Sequence, residues 1–461
     1  MRKLPLALFA IFGGIALTAA TAVAQDSGPL IDMLVKKGLI NDQEAEEVRA
    51  DLTKDFASTP AGKLNLSSGL TELRIAGDVR ARYESRTGEL VTGDHEQRDR
   101  LRYRFRAGLL GKLYNDWAFG FRLETASGNR SSNVTMGDDT GPWNKGASGS
   151  TKASKDGNVT SVTFPSSNDA VYVGQIWAQW TPTSDLKFTV GRMANPLVST
   201  LMVWDGDINP EGFAEQYKHR VENFEYSATL GQFLYGTNGK QIPYGTNTST
   251  HDLWLFAWQT GAKYYVDGPT KFLQINPTLY TYYRNNSAQT LSPFNGQFKP
   301  GNNGAVNDLL VVDMPFEYDW TVGGTPMRAF GDVAVNLEGS TRAKNFSATA
   351  SNDNVAYHAG IQYGKAVNKG EWDAKVFYQS IGAFALDANL VDSDLFDSRT
   401  NMQGWVVSGN YAIGAATQIS LTLADASRKN SNLIAPGSGD IEKDNALKKY
   451  RLLQVDLNLK F

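Results

Sequence analysis

The sequence predicts an all-β fold, a transmembrane antiparallel β-barrel of about sixteen strands with a short N-terminal helical segment before it. Three observations predict this fold class. Apolar and polar residues alternate along many segments, aromatic residues such as Tyr83, Trp117 and Tyr411 stand at the ends of the apolar faces, and short connections alternate with long ones. A soluble β-sandwich also alternates, but the aromatic ends and the loop lengths favour a membrane barrel.

Composition excludes several classes of protein. The chain has 461 residues and no cysteine, so neither a disulfide framework nor a thiolate metal site is expected. Lys and Arg total 45 against 48 for Asp and Glu, and this near-balance gives no reason to expect a nucleic-acid partner. The mean hydropathy of -0.35 argues against a helical membrane protein, whereas a barrel needs lipid-facing residues only at every second strand position.

Residues 1–24 are predicted to be a secretory signal peptide. Arg2 and Lys3 form its positive start, an apolar run follows to about residue 20, and 22–24 is an Ala-x-Ala site that predicts cleavage after Ala24. An uncleaved membrane anchor is the alternative. No later segment approaches the roughly 20 apolar residues of a membrane-spanning helix. A mature chain that enters a membrane is therefore expected to do so as strands.

Residues 25–62 are predicted to form a periplasmic helical or coiled-coil prefix and a linker. Apolar residues recur at helical spacing within 30–35, and Asn41 with Glu44 makes a capping-box pattern. Residues 59–62 then break the helix. The narrow apolar stripe suits a small oligomeric coiled coil, and a helical hairpin or mobile tail without a partner remains the alternative.

Residues 63–461 are predicted to form the barrel. From Leu73 onward the hydrophobic period is two, as a lipid-facing strand requires. The segments 73–83, 100–112, 117–125 and 453–461 each place apolar residues on one face and charged or polar residues on the other. A closed barrel of this size satisfies every backbone N–H and C=O in lipid and leaves an aqueous channel.

Loop lengths allow the strands to be counted. Seven short turns are expected at 114–116, 182–185, 221–223, 267–270, 323–326, 368–370 and 414–415. Eight long loops are expected near 84–99, 128–169, 193–210, 236–250, 285–308, 339–353, 383–400 and 428–445. These connections join about sixteen strands and leave both ends of the barrel on the short-turn side, which is periplasmic in such barrels.

Taken together, these features resemble the putative porins of Gram-negative bacteria. The resemblance lies in the signal peptide, the prefix 30–40, the segment from 190–193 to 204–212, and the terminal Phe461, which looks like an outer-membrane assembly signal. It implies a general, trimeric-type porin of the outer membrane, surrounded by lipid and lipopolysaccharide, with one loop folded into the lumen. Its expected function is passive diffusion of small hydrophilic solutes and ions through a water-filled channel.

The early strands carry a basic face of inward parity, formed by Arg74, Arg80, Arg82, Arg100, Arg102, Arg104, Arg106 and Arg122. The third long loop carries Asp205, Asp207 and Glu211. If this loop folds inward, its acids would face the arginines across a constriction. Rings of charge at such a constriction set ion preference. The hypothesis is an anion-preferring constriction. In the alternative, the arginines lie at the barrel mouths or against a trimer-buried wall and pair with neighbours such as Asp78 and Glu124.

Catalytic motifs are absent from the sequence, so no enzyme, cofactor or metal site is predicted. The four histidines share no ligand spacing, and no nucleophile elbow or dinucleotide fingerprint occurs. Two alternatives to a porin stay open. One is a structural barrel whose helical prefix contacts the cell wall, and the other is an outer-membrane hydrolase.

Overall fold

The structure is a computed structural model that divides into two units, residues 1–68 and residues 69–461. It describes residues 33–37, 44–49, 69–126, 131–136, 170–236, 241–242, 245–246, 252–283, 308–347, 349–433, 440–441 and 447–461. In the first unit, 33–36 and 44–49 are helical, in agreement with the helical pattern there. The expected signal peptide, its cleavage site and the cap at Asn41 lie outside the described residues.

The second unit is a closed antiparallel barrel of 16 strands, so the predicted fold class is confirmed. The strands are β1 Leu70–Leu90, β2 His95–Leu113, β3 Trp117–Ala126, β4 Ala170–Trp180, β5 Leu186–Arg192, β6 Glu211–Val221, β7 Phe224–Gly236, β8 Leu253–Tyr265, β9 Phe272–Ile275 with Thr278–Tyr283, β10 Leu310–Asp313 with Phe316–Val322, β11 Thr325–Asn336, β12 Val355–Gly364, β13 Trp372–Ile381, β14 Met402–Gly414, β15 Thr417–Arg428 and β16 Leu447–Lys460.

Proline residues explain why the backbone hydrogen bonding of two strands is interrupted. β9 is broken before Pro277 and β10 before Pro315, because proline has no N–H to donate to a neighbouring strand. Val134–Thr135 continues the pairing with β2 beyond β3, and Gly339–Phe346 forms helix α1 between β11 and β12. Among the described residues, no helix has both the length and the apolar character to cross a membrane.

The two faces of the wall follow the alternation in the sequence. On β1, Ile75 is 66% exposed and Tyr83 41%, whereas Arg82 and Glu84 are buried. Since successive side chains of a strand point to opposite faces, the apolar residues face outward and the charged residues face the lumen. Aromatic rings stack at the short-turn end of the outer face, with Trp180 6.1 Å from Trp117 and 5.7 Å from Phe188.

One predicted connection is wrong in length. The sequence predicts a long loop at 84–99, but β1 and β2 stay paired from Glu84↔Arg100 to Glu89↔His95, and only 91–94 turn. The outward apolar stripe ends near Tyr83, so the following residues resemble a loop in sequence. Cross-strand pairing nevertheless continues, because Glu84 attracts Arg100 opposite it, and Asp440 lies close to both Arg86 and Arg98, which face each other.

Two loops fold into the lumen. Loop L3 is 193–210 and loop L7 is 382–401, and each places apolar side chains against inward residues of β7 to β13. The shared cluster comprises Leu197, Met202, Val203 and Trp204 of L3, Ala385, Leu386, Leu390 and Val391 of L7, and the wall residues Phe233, Leu253, Leu255, Ala257, Tyr280, Leu309, Val311, Ala334, Ala356 and Ile381. Much of the hydrophobic core therefore lies inside the barrel, on one side of the lumen.

Phe461 lies at the seam that closes the barrel. Its N–H donates to the Gly77 carbonyl at 3.1 Å, its carbonyl accepts from the Gly77 N–H at 2.9 Å, and its ring stacks on Phe105 at 6.5 Å. A Cβ at residue 77 would lie 2.5 Å from that ring, so glycine is required for the close approach.

We therefore expect Phe461→Ala to reduce the assembled fraction of the barrel. Loss of the aromatic contact costs about 1 kcal/mol, or roughly fivefold in the assembly equilibrium constant. Heat-modifiable migration on electrophoresis measures the fraction. Phe213→Ala, another outward phenylalanine, is the matched control, and equal losses in both variants would contradict a special role for the seam.

Candidate pore constriction

An arginine ladder lines the lumen face of β1, β2 and β3. We use this name for Arg74, Arg80, Arg82, Arg100, Arg102, Arg104, Arg106 and Arg122. Arg80 lies opposite Arg104 and Arg82 lies opposite Arg102 in the β1–β2 register. Like charges placed directly opposite each other are destabilising, so the ladder needs nearby carboxylates.

The half of the ladder near the long-loop end is neutralised by acids from distant parts of the chain. Arg82 bonds Asp456 of β16 and Asp394 of loop L7, each at 2.6 Å. Arg86, which the sequence prediction left in a loop, bonds Asp394 at 2.8 Å and Asp397 at 3.0 Å. These contacts fix loop L7 against the ladder.

Glu84 and Asp440 complete this buried network. Glu84 is fully buried and accepts from Arg86 at 2.9 Å and from Arg100 at 2.6 Å. Asp440, in the loop between β15 and β16, accepts from Arg98 at 2.8 Å and also pairs with Arg100. Removing one partner of such a buried pair is strongly destabilising, because it leaves an uncompensated charge.

Toward the short-turn end, the ladder pairs with its own neighbours. Asp78 accepts from Arg104 at 2.7 Å and from Arg106 at 2.6 Å, and Glu124 accepts from Arg122 at 2.8 Å. These are the two acids that the alternative interpretation named. Part of the ladder is thus neutralised locally.

Arg80 is held differently. Its Nε donates to Asn458 Oδ1 at 2.8 Å, and no carboxylate of the described residues lies within the 4.0 Å of an ion pair. Arg102 donates to the Asn133 carbonyl at 2.8 Å and lies 3.5 Å from Glu84. Arg74 is exposed near the start of β1. Arg80 therefore forms no ion pair within the described residues, and Asp456 and Asp207 act on its charge only from a longer distance.

Loop L3 brings only one of its expected acids to the ladder. Asp207 Oδ1 lies 3.7 Å from Arg104 and 3.8 Å from Arg106. Asp205 is buried and accepts the Ser393 N–H at 3.0 Å, so it joins L3 to L7 instead. Glu211 begins β6 and pairs with Arg192 at 3.3 Å. Arg192 and Glu211 line an outer groove with Val190 and other outward apolar residues, so Glu211 lies on the outer face, away from the lumen.

Loop L3 is tied to the far wall. The Val198 N–H donates to Gln259 Oε1 at 2.9 Å, and the Gln259 amide donates back to the Val198 carbonyl at 2.8 Å. Thr200 Oγ1 donates to Asp332 on β11. These bonds hold the loop across the lumen between the ladder and the strands β8 to β11.

The sequence predicted loop L7 only as a long connection, and its position inside the lumen was not predicted. Two signals could have indicated it. Residues 384–386 and 390–391 are apolar, which is unusual for an exposed connection, and the acids Asp394 and Asp397 follow them closely. Arg86 continues the inward parity of Arg80 and Arg82, so the ladder could have been extended to Arg86.

The pKa values of the aspartates in loop L7 and in the loop between β15 and β16 are shifted in opposite directions. Burial alone would raise the pKa of Asp394, but Arg82 and Arg86 outweigh burial and hold that pKa below its usual range. Burial is likewise outweighed at Asp440, where Arg86 and Arg100 lower the pKa to about 2. Burial, with Asp205 and Asp394 beside it, raises the pKa of Asp392 well above its usual range.

These pKa shifts determine how pH affects the docking of loop L7 in the lumen. A depressed folded-state pKa stabilises the docked state above the unfolded pKa of about 3.9, and this contribution is lost only as pH falls toward the folded value. The ionised Asp394 and Asp440 therefore hold L7 near neutral pH. Asp392 acts oppositely, because its ionisation as pH rises disfavours the docked loop.

Comparison with known proteins identifies a family over part of the chain. Residues 88–305 match the family model described as a putative porin, which confirms the resemblance that the sequence indicated. No curated protein sequence matches the chain significantly.

Three solved structures are among those that are similar in fold. The anion-selective porin from Comamonas acidovorans has 10% identity and a TM-score of 0.44, with 85% of this chain and 99% of that chain covered. The outer membrane protein opdK from Pseudomonas aeruginosa has 11% identity and a TM-score of 0.44, with 86% and 100% covered. A triple mutant of the Rhodopseudomonas blastica porin has 8% identity and a TM-score of 0.39, with 85% and 100% covered.

The family match over residues 88–305 and the closed barrel are features that this chain shares with porins of the bacterial outer membrane. They point to a channel rather than to an enzyme. In the parts of the chain that the structure describes, no group of three or more His, Cys, Asp or Glu side chains is arranged to hold a metal ion.

We expect Asp394→Asn and Asp392→Asn to have opposite consequences for loop L7. Asp394→Asn leaves two buried arginines with less compensation, which costs about 3 kcal/mol and raises the open-loop population roughly 100-fold. Asp392→Asn replaces a carboxyl that is favoured in its neutral form and should preserve docking. Limited proteolysis of the folded barrel near 390–400 measures the open population, and equal cleavage of both variants would contradict this account.

Proposed function

We propose that this porin is a passive diffusion channel for small hydrophilic solutes and ions, with a preference for anions. The proposal rests on one observation, the uncompensated Arg80 beside Arg104 and Arg106 at the level where Asp207 of loop L3 approaches the ladder. The apolar packing of L3 and L7 occupies the opposite side of the lumen. Hydrated ions should therefore pass along the ladder.

The charges around this passage favour anions. Arg80, Arg104 and Arg106 face two carboxylates, Asp78 and Asp207, which leaves a local excess of one positive charge. An ion that passes roughly 5 Å from one charge in water interacts with it by about 0.8 kcal/mol, and salt screens this interaction. With screening, such an energy enriches anions roughly two- to fourfold relative to bulk solution and depletes cations by a similar factor.

Export and assembly form part of the same proposal. Cleavage after Ala24 would release a mature chain whose prefix, through residue 62, precedes the barrel. The helices at 33–36 and 44–49 support a helical prefix. The resemblance to trimeric-type porins supports a homotrimer surrounded by lipid and lipopolysaccharide, with Phe461 as the assembly signal.

Opposite substitutions in the constriction should shift ion preference in opposite directions. Arg80→Gln removes one positive charge and should lower the anion-to-cation permeability ratio roughly four- to fifteenfold. Asp207→Asn removes a carboxylate and should raise the ratio by a similar factor. The reversal potential in a planar bilayer under a salt gradient measures the ratio, and both shifts should grow as salt is lowered.

Lys112→Gln is the matched control, because Lys112 lies at the exposed end of β2 and pairs with Glu72. It should leave the reversal potential unchanged. Shifts of the same sign in Arg80→Gln and Asp207→Asn, or no shift in either, would rule out the constriction as the source of selectivity. A folded barrel that conducts no ions would rule out the diffusion function itself.

A further inference from the structure

A cavity of about 280 Å³ opens in the lumen on the side away from the arginine ladder. Residues 198–201 of loop L3 cover it, and inward residues of β9 to β13 form its walls. Small-molecule sites in proteins are concave, mostly apolar and carry a few polar groups that fix orientation, with volumes from about 300 Å³ upward. At about 280 Å³ this cavity lies just below that range, so it is sized for a solute of about one ring.

Three rings form one wall of the cavity. The ring centroids of Phe330 and Phe377 are 6.0 Å apart, and His358 lies 5.7 Å from the first and 5.5 Å from the second. Gly360 makes this arrangement possible, because a Cβ there would lie 2.8 Å from the Phe330 ring and 2.4 Å from the Phe377 Cβ. The wall offers aromatic surface to the flat face or edge of another ring.

Lys375 supplies an uncompensated positive charge at this wall. Its Nζ lies 5.4 Å from the centre of the Phe377 ring, and no carboxylate of the described residues is within 4.0 Å. Arg328, the other cation of the lining, is already held by Asp319 through bonds of 2.7 and 2.9 Å. Lys375 is thus the cation that remains for a solute.

Deeper polar atoms of the cavity also lack partners. His358 and Gln379 are both more than nine-tenths buried. His358 and Gln379 face each other across β12 and β13, but neither ring nitrogen of His358 nor the Oε1 of Gln379 makes a hydrogen bond of normal geometry within the described structure. Buried polar groups are almost always hydrogen-bonded, so these atoms indicate that a polar group occupies the cavity when it is filled.

We propose that this cavity binds a small organic anion with a flat apolar body, such as an aromatic carboxylate. The carboxylate would pair with Lys375, the apolar body would pack on Phe330 and Phe377, and a polar substituent would reach His358 and Gln379. The proposal deepens the proposed function, since it makes the cavity a solute-binding subsite beside the diffusion path. A cationic solute is disfavoured there, because it would meet the uncompensated charge of Lys375.

Calorimetric titration of the folded, detergent-solubilised barrel with benzoate tests the site. We expect saturable binding of benzoate, and binding weaker by roughly tenfold or more for benzamide, which lacks the charge, and for acetate, which lacks the ring. Lys375→Gln should weaken benzoate binding by a similar factor, and Phe330→Leu should weaken it severalfold. Lys369→Gln, an exposed lysine in the turn before β13, is the matched control and should bind benzoate as the unsubstituted protein does.

A second readout separates this proposal from the proposed function. Benzoate should reduce single-channel current in a saturable manner in the unsubstituted protein, and the half-blocking concentration should rise roughly tenfold in Lys375→Gln. Conductance without calorimetric binding would overturn the site and leave the diffusion function standing. Benzoate binding by a barrel that does not conduct would overturn the function and leave the site standing. Equal binding of benzoate by the unsubstituted protein and by Lys375→Gln would also overturn the site.

Discussion

Mutual repulsion among the arginines of β1 and β2 is the constraint on which the interior of this barrel depends. The register sets Arg80 opposite Arg104 and Arg82 opposite Arg102, so the strands could not pair stably with these side chains buried and uncompensated. Carboxylates come from β1 itself, from β16 and from three loops that are remote in sequence, of which L3 supplies Asp207. Loop L7 and Asp440 are thereby drawn toward the lumen face of β1 and β2 by the ion pairs that stabilise the wall.

The other side of the lumen is held by apolar contact. Trp204 of loop L3 lies 6.0 Å from Phe233 and 6.5 Å from Tyr280 between ring centroids, and Leu386 of loop L7 joins the same cluster. Dispersion and the hydrophobic effect therefore hold the apolar side of both loops against β7 to β13. Ion pairs hold the side that faces the arginine ladder. In the proposed function, this division leaves the hydrated passage beside the arginines. The cavity walled by Phe330 and Phe377 lies beneath loop L3.

Contact with lipid imposes a regular pattern on the strands, and this pattern determines which parts of the architecture can be predicted from the sequence. Each crossing strand must present apolar side chains at every second position, so strand number, face and most loop boundaries can be predicted from local periodicity. No such period governs the lumen. The partner of Arg82 is Asp394, more than 300 positions away, and nothing local relates the two. Asp205, Asp207 and Glu211 lie within seven residues of one another, yet one joins two loops, one faces the ladder and one lies on the outer face, because the chain leaves loop L3 and enters β6 between them.

Backbone strain in loop L7 links its position to the ladder. Phe396, Asp397 and Ser398 have φ of 53°, 59° and 56°, a left-handed conformation that costs non-glycine residues roughly 1–2 kcal/mol each. The carboxylate of Asp397 offsets this cost by accepting from Arg86 at 3.0 Å and from the Asp440 N–H at 2.8 Å. The strained turn is therefore stable only while the ladder and the Asp440 loop are in place. Loop L7 and the arginines therefore stabilise each other, whereas Arg80 forms no ion pair and, in the proposed function, is the arginine that acts on passing solutes.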